Sequence, residues 1–148
     1  AVREGLANVT LPGRFQVMPG RPVVVLDVAH NVQAAQVLAD NLADQGFFSK
    51  THAVFGMLGD KDIEGVCKAL APRIDIWHVA PLQGARAAPV DRLRMAIAAS
   101  AAKAPCKICE TPRQAYSNAL SAAGENDRII VFGSFYTVAA IMRILQAK

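Results

Sequence analysis

The stretch Val23-Val24-Val25-Leu26-Asp27-Val28-Ala29-His30-Asn31 decides the fold. Aliphatic residues, mostly β-branched, run without alternation into Asp27, His30 and Asn31, and a helical pattern follows at once. A continuous apolar run of this length predicts a parallel strand buried on both faces. Its polar tail then falls at the carboxyl end of the strand, where open α/β sheets bind their ligands.

Outward from that strand the apolar pattern switches between two periods along the chain. Strands are predicted over Val23–Val28, His52–Met57, Ile74–Val79, Cys106–Glu110 and Arg128–Gly133. Helices are predicted between and after them. Asn31–Gln45 has Val32, Ala35, Ala39, Leu42 and Ala43 at three- and four-residue spacing, with Asn31 as cap and Gly46 as stop. Ile63–Ala71 follows a capping Asp62 and ends before Pro72. Pro89–Ala102 opens on proline and turns Leu93, Ala96 and Ile97 inward, with Arg92 and Arg94 outward. Thr111-Pro112 opens a helix to about Ala123, and Thr137–Ala147 closes the chain. Five β-α units in series predict a three-layer, Rossmann-like α/β domain with a mainly parallel sheet. Phe15–Met18, isolated between Gly13 and Pro19-Gly20, is a candidate additional edge strand, for which antiparallel pairing is open.

The chain has 148 residues, enough for one well-buried domain over 1–148, and no Pro/Gly-rich linker separates a second core. Its 53% hydrophobic content is mostly Ala, Val, Ile and Leu, and no apolar run approaches the roughly 20 residues of a membrane span. A net charge of +4 is dispersed among acids, without the basic, aromatic-interleaved run of nucleic-acid binders. An anionic small molecule is the better-matched partner. The three cysteines, an odd number without an export signal, predict free thiols in a reducing, cytoplasmic setting. Cys106-Lys107-Ile108-Cys109 spells C-x-x-C, but in a strand residues three apart point to opposite faces. No second ligand pair completes a metal site. The opening residues, without an initiating Met or a secretory core, read as part of a longer polypeptide.

Three polar clusters fall at the carboxyl ends of predicted strands, hence along one edge of the sheet. They are Asp27, His30 and Asn31; Gly56 to Asp62; and Gly133-Ser134-Phe135-Tyr136-Thr137. Leu11-Pro12-Gly13-Arg14 precedes the first strand and can reach the same edge. His52, Trp77 and His78 read as packing or surface residues without partners.

Four motifs in register, Leu-Pro-Gly-Arg-Phe-Gln at 11–16, Asp-Val-Ala-His-Asn at 27–31, Met-Leu-Gly-Asp-Lys-Asp at 57–62 and Phe-Gly-Ser-Phe-Tyr-Thr-Val at 132–138, carry a resemblance. Together they resemble the C-terminal domain of the folylpolyglutamate synthase/dihydrofolate synthase family of Mur-type ligases, across nearly the whole chain. Residues 1–14 resemble the family's interdomain connection. The resemblance implies an ATP-dependent amide ligase: ATP phosphorylates a dihydropteroate or folate carboxylate, and the amino group of L-glutamate attacks the acyl phosphate. It further implies that the phosphate loop and the Mg2+ ligands belong to a central ATPase domain absent from this chain. No G-x-x-x-x-G-K-[ST] occurs here; Gly56 to Lys61 has the wrong spacing. No catalytic set is complete in these residues.

The resemblance places Arg14, Asp27 and His30 on ATP. A guanidinium can bind phosphate oxygens bidentately and a carboxylate can accept ribose hydroxyls. It places Lys61 and Ser134 on the incoming glutamate, where an ammonium and a hydroxyl suit carboxylate oxygens. Plainer alternatives stand beside each: a surface arginine in a Pro-Gly turn, a helix-capping aspartate, a histidine bonded to a loop carbonyl, a solvated loop lysine and an N-capping serine. At the level of the whole chain the alternatives are a Mur-type ligase acting on a cell-wall precursor and a stand-alone nucleotide-binding module without catalysis. The Arg14 and Ser134 motifs favour folate over the first.

Overall fold

The computed structural model describes residues 14–100 and 103–146. The Leu11-Pro12-Gly13 part of the first motif, the connection over 1–13 and the expected helix ends at Ala101–Ala102 and Ala147 lie outside the described residues. Among the described residues the strands are β1 (Gln16–Met18), β2 (Val23–Leu26), β3 (Thr51–Phe55), β4 (Ile76–Val79), β5 (Cys106–Ile108) and β6 (Arg128–Phe132). The helices are α1 (Val32–Asp44), α2 (Ile63–Leu70), α3 (Val90–Ala99), α4 (Pro112–Ala122) and α5 (Phe135–Gln146), with a 3-10 turn over Ala71–Arg73.

The strands form one sheet in the order β1-β2-β6-β3-β4-β5, in which only the β1-β2 pair is antiparallel. The edge strand read at Phe15–Met18 is therefore present and antiparallel. Register rows alternate between the two faces, as the period of a strand demands. Val25, Ile130, Ala53, Trp77 and Cys106 stand in one row and pack against α1, α2 and α3. Leu26, Val131 and Val54 form the next and pack against α4 and α5. Cys106 and Cys109 fall in opposite cores, and both are free thiols, as strand geometry requires of that C-x-x-C.

Helix starts follow their capping chemistry. Asn31, Asp62 and Thr111 accept from the N–H groups of Ala34 (2.8 Å), Gly65 (3.0 Å) and Gln114 (3.0 Å). The last helix begins two residues earlier than its apolar period predicted. The Ser134 hydroxyl accepts the N–H of Tyr136 at 3.1 Å and the Ser134 carbonyl that of Val138, drawing Phe135 and Tyr136 into the first turn. On α1 the inward set is Ala35, Leu38, Ala39 and Leu42; Ala43 is exposed and Val32 half-buried. β4 starts at Ile76, because Pro72 extends α2 into the 3-10 turn.

His52, Trp77 and His78 are all buried, and the histidines are not without partners. Their rings stack with centroids 5.7 Å apart, His52 Nδ1 lies 3.4 Å from His78 Nε2, and His52 Nε2 lies 3.1 Å from the Asp127 carboxylate. Asp127 also accepts the N–H groups of Lys50 and Gly124. This chain of polar groups sits towards the amino-terminal edge of the sheet, and Asp127, 75 residues from His52, left no local signal of it. Arg92, read as outward-facing, is half-buried.

Candidate functional site

The carboxyl edge of the sheet is where the direction of winding changes. After β2 and β3 the chain passes to the face carrying α1 and α2, whereas after β6, which lies between them, it passes to the face carrying α5. The segments that follow these three strands diverge and leave a crevice, the usual ligand position in a doubly wound sheet. Two glycines allow the backbone to close there. Gly133 has φ +109°, and a Cβ on it would stand 2.5 Å from the Gly56 carbonyl oxygen. A Cβ on Gly56 would stand 2.7 Å from the Ala80 carbonyl oxygen. The Thr137 hydroxyl donates to the Gly56 carbonyl at 3.1 Å, tying α5 to the end of β3.

His30, Lys61 and Ser134 line one cavity of about 150 Å³, with Leu58, Gly133, Phe135 and Tyr136. His30 Nδ1 donates to the Val28 carbonyl at 2.8 Å, so the neutral ring presents an unprotonated Nε2. The plainer reading of His30 thus describes one ring nitrogen and leaves the other for a ligand. Ser134 is buried; its oxygen caps α5, and its hydroxyl proton remains available to an acceptor. Lys61 brings an ammonium to the same space. Phe135 and Tyr136, 62% and 59% exposed, form an edge-to-face pair on its rim. Both belong to the cluster at 133–137 that the sequence placed on this edge, and the structure adds that they lie in the first turn of α5.

Arg14 and Asp27 line a second cavity of about 340 Å³, together with Phe15, Asn31 and the α1 residues Gln33, Ala34, Val37 and Asn41. The Asp27 carboxylate accepts the N–H of Ala29 at 2.9 Å and of Phe15 at 3.2 Å. Phe15 has φ +39°, a conformation that a bulky residue rarely adopts, and the bond to Asp27 satisfies its N–H. Asp27 therefore fixes the turn that presents Arg14, and Asn31, not Asp27, caps α1. A carboxylate has about four acceptor positions, so two remain for a ligand. Burial pushes the Asp27 carboxyl above its usual range, opposed by its two N–H donors and by the charge of Arg14. The structure thus groups Arg14 with Asp27, and His30 with Lys61 and Ser134. Gln33 and Asn41, eight residues apart on one face of α1, join the first group without any motif to announce them.

No group of three or more His, Cys, Asp or Glu among the described residues is arranged to hold a metal ion. None of their helices is long and apolar enough to cross a membrane.

The fold is a doubly wound α/β domain with two cavities side by side at the switch point, each lined by both polar and apolar groups. The chain belongs to the Mur ligase family: residues 13–135 match the model of the Mur ligase, glutamate ligase domain. It is 37% identical over 148 residues to the dihydrofolate synthase/folylpolyglutamate synthase of Escherichia coli, covering 100% of this chain and 34% of that protein. Among solved structures, E. coli FolC in complex with DHPP and ADP superposes with a TM-score of 0.85 at 37% identity, over 93% of this chain and 32% of that one. A bifunctional folylpolyglutamate synthase/dihydrofolate synthase with Mn, AMPPNP and L-glutamate bound gives 0.83 at 41% identity, over 92% of this chain and 32% of that one. The chain spans about a third of the length of the curated relatives it matches.

Proposed function

We propose that this chain is the C-terminal domain of an ATP-dependent ligase that adds L-glutamate to dihydropteroate or a reduced folate through an acyl phosphate. The observation that carries this reading is the convergence of His30, Lys61 and Ser134 on one cavity, beside the cavity of Arg14 and Asp27. In the proposed arrangement Asp27 accepts ribose hydroxyls and the Arg14 guanidinium binds the nucleotide's phosphate oxygens. The Lys61 ammonium and the Ser134 hydroxyl hold the carboxylates of glutamate. His30 stands where the phosphate end of the nucleotide and the amino acid meet, positioning groups through Nε2. Bound L-glutamate, a nucleotide analogue and Mn in a relative at 41% identity support the substrates and a divalent metal. Mg2+ is the metal proposed here, neutralising phosphate charge.

The first cavity is small, about 150 Å³, and a facing domain would deepen it. The central ATPase domain of the same polypeptide is the proposed facing domain and the source of the phosphate loop and of the metal ligands. Closure of one domain on the other would exclude water from an acyl phosphate.

The test is steady-state kinetics of the full-length ligase with each substrate varied in turn. Asp27→Ala and Arg14→Ala are expected to raise the KM for ATP about tenfold or more, or to lower kcat by a similar factor, with the domain still folded. Lys61→Ala is expected to raise the KM for glutamate and leave that for ATP near wild type. Wild-type kinetics in both the Asp27 and Arg14 variants would overturn the nucleotide assignment.

A further inference from the structure

Arg92 lies on α3, away from the polar clusters at the strand ends, yet its guanidinium reaches the loop that follows β3. Nη1 donates to the Gly59 carbonyl, and Nη2 donates to the Lys61 carbonyl at 3.2 Å and towards the Glu64 carboxylate at 3.5 Å. Arg94, two residues on, provides the contrast: it is exposed and pairs with Asp91 of its own helix at 2.9 Å. Both arginines have a carboxylate partner, but Arg92 also grips the backbone of the segment that carries a site residue.

The same segment is fastened along one side. The Gly59 N–H donates to the Arg86 carbonyl at 2.7 Å, and the Ala88 N–H donates to the Met57 carbonyl at 3.1 Å. Residues 57–61 are thus held against residues 86–92, while Lys61 also borders the cavity shared with His30 and Ser134. Two carbonyls held by the two terminal nitrogens of one guanidinium restrain the rotation of the turn, and with it the direction in which the Lys61 side chain leaves the backbone. A planar fork of five donors can span two carbonyls and a carboxylate at once, whereas an ammonium has no fixed plane.

We propose that Arg92 is a positioning residue: by holding the carbonyls of Gly59 and Lys61 it aims the Lys61 ammonium at a carboxylate of the incoming amino acid. The proposal rests on the assignment of Lys61 to glutamate given above. It is tested in the full-length ligase with Arg92→Ala, Arg92→Lys, Lys61→Ala and, as control, Arg94→Ala, varying glutamate and ATP separately and recording Tm. Arg92→Ala is expected to raise the KM for glutamate about tenfold while the KM for ATP stays within about twofold. Arg92→Lys should fall between Ala and wild type, and Arg94→Ala should match wild type. A residue that merely braced the fold would lower Tm and the amount of active enzyme without moving one KM against the other. A glutamate KM raised by Lys61→Ala but unmoved by Arg92→Ala would overturn the positioning role and leave the glutamate assignment standing. A glutamate KM unmoved by Lys61→Ala would remove that assignment, and the proposal with it. Should Arg92→Ala fail to fold, Arg92→Gln, which loses the fork but keeps a donor, is read by the same criteria.

Discussion

At the scale of single residues, His78 shows how burial far from the site sets a response to pH. It is buried in the sheet face against α4, its Nε2 faces His52, and its Nδ1 has no hydrogen-bond partner among the described residues. Protonation would bury a charge and a donor without an acceptor. Desolvation, with the nearby charges of His52 and Lys107, accordingly lowers its pKa to about 4 from an ordinary 6.5. Between those values the unfolded chain binds a proton that the folded chain refuses, so stability falls as pH drops from about 6.5 towards about 4. The loss is limited to about 1.4 kcal/mol per pH unit for one proton. Urea unfolding from pH 4.5 to 7.5 checks this as a difference between wild type and His78→Leu, which is expected to lose that part of the slope. Parallel curves for the two proteins would contradict the expectation.

At the scale of elements, α1 is fastened at both ends by groups distant in kind. Asn31 caps its first turn, and the buried Arg128 guanidinium donates to the Leu42 carbonyl at 2.7 Å, to the Gln45 side chain at 3.0 Å and to the Thr51 hydroxyl at 2.8 Å. The first fastening was legible in the sequence, because a cap acts three residues away. The second was not, because Arg128 lies 86 residues from Leu42. Asn31→Ala is expected to cost about 1 kcal/mol in chemical unfolding, and Asn31→Ser to recover most of it. A stability unchanged by Asn31→Ala would show that tertiary packing alone holds the turn. The start of α5 teaches a related lesson. Its apolar period placed the helix at Thr137, but the turn geometry of Ser134 carries Phe135 and Tyr136 into the helix and onto the rim of the cavity.

At the scale of the whole molecule, the sheet order decides where the two cavities lie. Placing β6 between β2 and β3 gathers three loops at one edge, which opens the crevice, and in the proposed arrangement a central domain closes over it. The 148-residue chain on its own is therefore expected to unfold in a single cooperative transition and to form no amide bond. Product analysis after incubation with ATP, Mg2+, L-glutamate and dihydropteroate checks the second part. Ligation by the isolated chain would mean that the machinery assigned to a central domain is present here.

What the sequence by itself determined is what neighbouring residues decide among themselves. Apolar runs, capping residues and the polar tails of strands specified an α/β domain, a candidate edge strand whose direction stayed open, and the edge on which Arg14, Asp27, His30, Lys61 and Ser134 all lie. Tertiary structure alone decided the partnerships across that edge: Arg14 with Asp27 through the left-handed turn at Phe15, His30 with Lys61 and Ser134, and Arg92 on the backbone of Gly59 and Lys61. The physical reason is range. A cap or a strand period is satisfied within a few residues, whereas a guanidinium finds carbonyls about thirty residues away only after strand order has brought the loops together.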